Sequence, residues 1–596
     1  MGKPDPSSID PKTGFCPETK TVYSLRPPVP LPPENTPLSA ASYALSLQSA
    51  SHWADSTALI QSDTGYRISY PQFRLYVEAL AFSLRTEVGL SRNDVAFVLS
   101  PNSTRVPILY FALLSIGVAV SPANPLSTNS EISRQIKISK PVIAFATSVT
   151  AVKLVEHGCK TILIDSPEFE RMMTRRIGRE VVEVEVSQND VAAILFSSGT
   201  TGHAKGVVIT HRNFIAVTAS FYYQRQQRSS PVVGLYITPY FHVFGFHYTL
   251  KSVALAETVV VMERYELSKM LRAVEEFKVT HLAVVPPIVV AMVKSNLTKN
   301  FDMGSLEAVG SGAAPLGIDL IEAFAKKFPR IFIFQGYGMT ETSGAAVRAS
   351  SPDEYQRRGS VGKLFGNNEA KIVDPDTGIA LPPGKLGELW IKGPTVMKGY
   401  VDDPKATSET LVSAKWLRTG DVCYVDNEGF FFVVDRIKEL IKYKGYQVPP
   451  AELEQLLLAH PDIVDAAVIA YPDEEAGQVP LAFVVRRPKA LDEGQIIDSL
   501  GNRLPIKKIR RVVFVSSIPK SPSGKILRKE LREDLPARFQ ALMTISSLFT
   551  LFGMSYVLCS MRHCWSNQDP AATSPATLLL IYLLDQLSKT KTSYCS

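Results

Sequence analysis

The stretch SSGTTGHAKG, Ser197 to Gly206, carries three glycines, two serines, two threonines and a lysine within ten residues. An apolar run, Val191-Ala-Ala-Ile-Leu-Phe196, precedes it, and a second one, Val207-Val-Ile209, follows. The pattern predicts a glycine-rich loop between two strands. Consecutive backbone N–H groups in such a turn form an anion-binding concavity. The Ser and Thr hydroxyls add neutral donors, and Lys205 adds a mobile positive charge. A Walker A loop needs G-x-x-x-x-G-K-[ST] leading into a helix. Here Lys205 is followed by Gly206 and then by a strand, so that reading is excluded on both sequence and context. What remains is a phosphate grip of another design, or a plain Gly/Ser hairpin turn.

The rest of the chain narrows the choice. At 596 residues it is too long for one ordinary domain. Hydrophobic residues make up 45% and charged residues 20%, the composition of a globular protein with a large core. A net charge of +7 is mild for this length and occurs without long like-charged blocks, which argues against a nucleic-acid surface and fits an anionic substrate. The cysteines Cys16, Cys159, Cys423, Cys559, Cys564 and Cys595 form no CxxC or Cys/His cluster. Neither zinc nor a disulfide framework is indicated, and a reducing compartment fits. The N-terminus has no charged-then-apolar signal, and Pro6 stands where N-myristoylation after Gly2 needs Ser or Thr.

Residues 1–40 include RPPVPLPPENTPLS and read as an irregular, Pro-rich arm. From 41 to 435 apolar strand-like runs alternate with helical patterns. Examples are Asp94–Leu99, Pro141–Ala146, Thr161–Ile164, Gly234–Ile237, Thr258–Met262, His281–Val285 and Arg330–Phe334. Ile108 to Val120 reads as one apolar helix. The alternation predicts an α/β fold with mostly parallel, buried sheets. After Gly366, short strands separated by Pro/Gly turns, as in LPPGKLGELWIKG, predict a small β unit. Residues 436–533 read as a smaller α/β domain with a helix at Ala451–Ala459 and strands near Ala466–Ala470, Leu481–Val485 and Lys507–Val515. Residues 534–596 form an atypical apolar tail. Ala541 to Ser560 is uncharged over a length that could span a bilayer, although its Ser, Thr and Gly content weakens that reading.

Three further stretches follow the glycine loop in order: GYGMTETSG (Gly336–Gly344), WLRTGDVCYVDNEGFFFVVDRIKELIKYKG (Trp416–Gly445) and PKSPSGKILRKEL (Pro519–Leu531). With them the chain resembles the adenylate-forming acyl-CoA synthetases, and most closely the plant 4-coumarate–CoA ligases and their ligase-like relatives. The resemblance runs from about residue 20 to about residue 533. It implies a large N-terminal adenylate-forming domain and a small, mobile C-terminal domain. It also implies two half-reactions: a carboxylic acid attacks the α-phosphate of MgATP, and coenzyme A then takes the acyl group and releases AMP.

Carried over residue by residue, the resemblance assigns Ser197, Ser198, Gly199, Thr200, Thr201 and Lys205 to the grip on the leaving pyrophosphate. Gln335, Gly336, Tyr337 and Thr340 match adenine- and phosphate-side contacts. Glu341 matches the magnesium-binding acid, and a hard cation suits a carboxylate beside phosphate oxygens. Asp421 and Arg436 match ribose contacts, and Asp435-Arg436 falls at the hinge between domains. Lys525 matches the lysine that reaches the carboxylate and α-phosphate, a movable point charge. Lys438, Lys442, Lys444 and Gly445 match the face that meets the acyl-adenylate and the pantetheine arm after rotation. His242 in PYFHVFGF matches the histidine near the acyl group, and makes a third candidate catalytic residue with Lys525 and Glu341. The implied substrate pocket is lined by Phe244, Tyr248, Gly310, Ala313, Gly344 and Ala345.

Several positions depart from the family pattern. Ala204 replaces the usual Pro before the loop lysine. Phe244 stands where hydroxycinnamate ligases often have Tyr, Gly310 where they often have Lys or Arg, and Gly344-Ala345 where they often have Pro-Val. The segment GNRLPIKKIRR is slightly compressed, and the chain ends Tyr594-Cys595-Ser596 rather than in a Ser-Lys-Leu-like peroxisomal signal. The smaller, more apolar pocket residues point to a fatty or cyclopentenone-type acid, with a hydroxycinnamate as the alternative. A reading of another class stays open: a non-catalytic nucleotide-binding protein whose tail anchors it or blocks rotation. The expected partners are ATP, Mg2+, coenzyme A and a small acid, without nucleic acid. The protein is expected to be a monomer in the cytoplasm or the peroxisome.

Overall fold

The computed structural model describes residues 5–176, 184–197, 204–444, 446–473, 475–487, 491–501, 509–521 and 524–533. The tail expected at 534–596 lies outside them, as do Ser198, Gly199, Thr200, Thr201 and Gly445. Residues 1–528 form one compact unit, with the remainder a second.

The glycine-rich loop does join two strands. Val191–Ser197 and Lys205–Thr210 run antiparallel, with Ser197 opposite Lys205 where the loop leaves the ladder. This hairpin forms one side of a seven-stranded sheet. Four of its other strands, Ala119–Pro122, Val95–Leu99, Ile143–Ala146 and Thr161–Leu163, are parallel, as their near-continuous apolar runs predict, and the fifth, Gly399–Tyr400, pairs antiparallel with Lys205–Thr210. A nine-stranded sheet has the same character. Its centre, from Phe332–Met339 through Ala308–Ser311, His281–Val284, Val233–Tyr236 and Thr258–Val261 to Thr57–Gln61, is parallel, and its edges are antiparallel. The region after Gly366 contributes to an eight-stranded antiparallel sheet.

Two local expectations need correction. The run from Ile108 to Val120 is not one helix. The helix is Arg105–Ser115; Gly117 then takes a positive φ of 73°, and Ala119–Pro122 is a strand buried on both faces. Unbroken apolarity cannot separate a buried helix from a buried strand. The Pro-rich arm is also not wholly irregular. Phe15–Cys16 and Thr21–Tyr23 pair with each other, and the second strand joins Glu369–Val373 in the eight-stranded sheet.

The segment after Arg436 builds a five-stranded sheet around Ile463–Asp473 and Gly477–Arg486, covered by the helix Pro450–Ala459. Ile441, Leu453, Leu457, Val468, Ala482 and Val484 form its own apolar core. Asp435 sits at the junction: one carboxylate oxygen accepts from the Arg436 N–H at 2.7 Å and the other from the Ala451 N–H at 2.8 Å. Arg528 reaches back to Glu454 at 2.7 Å and to the Val468 carbonyl at 3.0 Å. Among the described residues no helix is long and apolar enough to cross a membrane.

Candidate active site

Tyr400 connects two of the sequence-predicted groups. Its strand, Gly399–Tyr400, pairs with Lys205–Thr210, which puts Tyr400 opposite Val207. The ammonium of Lys205 lies 4.7 Å from the centre of the Tyr400 ring, and the Tyr400 hydroxyl donates to Glu341 Oε1 at 3.0 Å. Glu341 is only 5% exposed, and its second carboxylate oxygen takes no hydrogen bond from the described residues. A buried carboxylate with one satisfied oxygen suits a hard divalent cation shared with phosphate oxygens. Tyr400 was missed in the sequence. It lies 59 positions beyond Glu341, and only the strand pairing reveals it.

Tyr337, Asp421 and Arg436 also converge. The Tyr337 hydroxyl donates to Asp421 Oδ2 at 2.7 Å, and Arg436 Nε stands 3.5 Å from Oδ1. Asp421 and Arg436 face each other across an antiparallel ladder, so the pairing of Trp416–Val425 with Phe431–Arg436 sets their separation. Burial pushes the Asp421 carboxyl above its ordinary range, and Arg436 opposes the shift. Burial, with Asp421 beside it, holds the Tyr337 phenol far above its usual value, so Tyr337 remains the donor. Gln335 is buried, and its side-chain oxygen accepts from the Leu316 N–H at 2.6 Å. Thr340 and Glu341 follow on a single 3-10 turn, Thr340–Thr342.

Lys525 is presented on a turn in which the Gly524 N–H donates to the Ser521 carbonyl and the Ser521 N–H to the Lys525 carbonyl, both at 2.8 Å. Burial lowers its pKa to about 8, with Arg436 acting in the same direction and Glu439 and Asp421 opposing. Lys525 thus lies within electrostatic reach of Arg436, Glu439 and Asp421. The basic cluster around it is otherwise neutralised: Lys520 pairs with Asp465 at 2.6 Å and Arg528 with Glu454 at 2.7 Å. Lys444 pairs with the exposed Glu475 at 2.8 Å, and the Lys442 N–H donates to Gln478 at 2.8 Å. Among the described residues no hydrogen bond or ion pair joins Lys442 or Lys444 to Asp421 or Tyr337. Lys438 sits on the short turn Ile437–Glu439 after the junction.

A cleft of about 2200 Å³ reaches Gly336 and the lysine turn, while Glu341, Tyr400, Asp421 and Arg436 stand outside its lining. His242, Phe244, Tyr248, Gly310, Ala313, Gly336 and Ala345 all line it, as do Ser521 and Gly524 of the lysine turn. Gly344 does not. A side chain there would meet the His247 ring behind the wall, because neighbouring strand residues face opposite ways. His242 stacks on Phe244 with 5.7 Å between ring centres, and its Nδ1 accepts from the Phe244 N–H at 3.4 Å. Burial lowers the His242 pKa to about 4, so its imidazole is neutral near pH 7.

A buried acid, a paired Asp and Arg and a partly buried lysine on a turn suit a nucleotide-dependent acyl-activating site. The chain belongs to the AMP-binding enzyme family, whose model matches residues 47–401; the AMP-binding enzyme C-terminal domain matches residues 452–525. It is similar to 4-coumarate–CoA ligase-like 9 of Arabidopsis thaliana, at 50% identity over 88% of this chain and 97% of that protein. It also resembles the peroxisomal OPC-8:0-CoA ligase 1 of Arabidopsis thaliana, at 42% identity over 88% of this chain and 98% of that protein. Among solved structures, the o-succinylbenzoate coenzyme A synthetase of Bacillus subtilis, in complex with ATP and a magnesium ion, superposes with a TM-score of 0.72. It is 27% identical and covers 82% of this chain and 99% of that one. The protein is therefore an AMP-forming acid–CoA ligase that uses ATP, Mg2+ and coenzyme A.

Proposed function

We propose that the acid is a fatty or cyclopentenone-type carboxylic acid, and that the residues brought together here perform the two half-reactions in turn. The observation that carries the choice of acid is the cleft wall: at Phe244, Gly310 and Ala345 it offers ring and small-residue surface that leaves room for an extended or cyclic aliphatic acyl group. In the first half-reaction the acid carboxylate attacks the α-phosphate of ATP. Asp421, held by Tyr337 and Arg436, accepts from the ribose hydroxyls and fixes the nucleotide. Lys205 stands at the foot of the loop that receives the leaving pyrophosphate. Glu341 would hold the magnesium ion, which when bound offsets charge on the phosphate oxygens.

Lys525 brings its ammonium to the attacking carboxylate and the α-phosphate, where negative charge must be neutralised as the two approach. Its electrostatic coupling to Asp421 and Arg436 supports this role. Neutral His242 lies in the wall of the cleft near the acyl end and orients the acyl group without adding charge. In the second half-reaction the segment from Arg436 onward turns about the Asp435 junction. Lys438, Lys442, Lys444 and Gly445 then replace Lys525 at the adenylate and guide coenzyme A.

Purified full-length protein with MgATP, coenzyme A and a mixed panel of fatty, cyclopentenone and hydroxycinnamic acids tests this reading by mass spectrometry of products. AMP with a fatty or cyclopentenone acyl-CoA is expected. A thioester formed only from hydroxycinnamates overturns the choice of acid. Acyl-adenylate that never becomes a thioester overturns the second half-reaction. A peroxisomal relative and an acid of this type fit a peroxisomal site of action. Co-localisation of the tagged full chain with a peroxisomal marker tests that.

A further inference from the structure

The wall of the acyl cleft carries a cation that the reaction does not use. Arg348 ends the strand Gly344–Arg348 and lines the cleft beside Tyr248 and Gly336. A β-bulge turns it inward. Gly338 opposes Ala345 and Tyr337 opposes Val347, which leaves Ala346 as the extra residue, and Gly336 then opposes Arg348. The extra residue returns Ala345 and Arg348 to the same face, where a regular strand would put them on opposite faces.

Two cations in this lining, and a third beside it, have an acid of their own, and Arg225, also in the lining, is solvent-exposed. Lys251 pairs with Glu257 at 2.6 Å, Arg228 with Glu307 at 2.7 Å, and Arg26 with Glu354 at 2.8 Å. Arg348 has no carboxylate within ion-pair distance among the described residues. Its Nε is buried without a hydrogen-bond partner. The guanidinium lies 4.3 Å over the Phe221 ring. A cation–π contact offsets only part of what a desolvated guanidinium loses. Burial accordingly pulls Arg348 below its ordinary value. Water in an open cleft can serve the remaining N–H groups. An acyl chain that fills the cleft displaces that water, and a purely alkyl chain returns nothing.

From this we propose that Arg348 is a specificity-determining residue that binds an oxygen acceptor on the acid remote from its reacting carboxylate, either a ketone or a second carboxylate. The inference rests on the acid–CoA ligase reading above and narrows its substrate class: the preferred acid is oxygenated at its far end. Arg348 acts on choice of acid, not on phosphoryl chemistry. A charge-assisted hydrogen bond made in a site emptied of water corresponds to about a ten- to hundredfold preference.

The test uses the full chain with a series of straight-chain acids of increasing length, each alongside its ω-oxo and ω-carboxy analogue. The wild type is expected to show kcat/KM about tenfold or more higher for an oxygenated acid than for the plain acid of the same length. Better turnover of the ω-oxo acids identifies a ketone, and better turnover of the ω-carboxy acids identifies a second carboxylate. In Arg348→Met the ratio of the two kcat/KM values is expected to collapse toward one, and in Arg348→Lys to be partly kept. The wild-type ratio decides the matter even if Arg348→Met does not fold. A wild type that prefers plain acids, or a ratio unchanged in Arg348→Met, overturns the inference while leaving the ligase reading intact. A wild type that converts none of these acids, while forming a thioester from another acid of the panel above, overturns the proposed acid class and this inference with it.

Discussion

Lys525 and Tyr400 are the residues on which the proposed chemistry is most exposed to test. The ammonium must be charged to neutralise the forming adenylate, and burial sets its pKa near 8. Its charged fraction therefore falls as pH rises through about 8. Because kcat/KM reports the free enzyme, a plot against pH should be flat below that value and decline above it. Lys525→Arg is expected to lose that alkaline limb while keeping some ATP–pyrophosphate exchange; a limb that stays in place belongs to another group. Lys525→Ala should lower exchange about 10²–10³-fold and leave equilibrium ATP binding mostly intact. Tyr400→Phe removes one hydrogen bond from Glu341. About a fivefold loss is expected, recovered in part at higher magnesium concentration. Lys525 was legible in the sequence because its turn is local. Tyr400 was not, because its neighbours come from distant strands.

The hairpin from Phe332 to Arg348 carries much of the site. At Gly338 an added Cβ would stand 1.8 Å from the Gly344 carbonyl oxygen, so the strands approach too closely for any side chain. Gly338→Ala should therefore destabilise the protein by about 1–3 kcal/mol through overpacking. Thermal melting of the variant beside the wild type measures this. The strands of this region were readable from apolar runs, but their lengths were not. Phe332–Met339 continues through Gln335-Gly-Tyr-Gly338, which composition alone assigns to a loop. Ala308–Ser311 pairs with the strand as far as Gln335, and Gly344–Arg348 takes over from Gly336, which makes those glycines strand residues. The bulge at Ala346 had no sequence signal, and with it went the inward aim of Arg348.

Across the whole molecule, Lys294 at the end of the helix Pro286–Lys294 reaches the smaller sheet region. Lys294 donates to the carbonyls of Leu458, His460 and Ile463 at 2.5–2.9 Å. These carbonyls lie at and just beyond the end of the helix Pro450–Ala459, where backbone acceptors are left over and a cation is favoured. We infer that this contact helps to hold the smaller sheet region in its present arrangement. Lys294→Met should weaken it and slow ATP–pyrophosphate exchange about five- to tenfold. Thioester formation from supplied acyl-adenylate should not slow. Equal losses in both steps would mean that Lys294 supports the fold rather than the arrangement. The site lies entirely within residues 1–528, so a chain ending at Glu533 is expected to retain both half-reactions. Loss of either would make the tail part of the enzyme.

The sequence by itself determined the family and the α/β class, and it named the candidate nucleotide-binding residues. These are carried by contiguous motifs, in which neighbours along the chain stay neighbours in space, and by apolar runs whose length sets strand or helix. Tertiary structure decided the rest. It decided that Tyr400 joins Lys205 to Glu341, that Gly344 faces away from the cleft, and that Lys294 ties two regions together. It also decided that Arg348 is left without an acid while its neighbours are paired. The physical reason is common to all of these. Strand register, a one-residue bulge and the matching of buried charges depend on which distant segments meet, and no local pattern encodes that meeting.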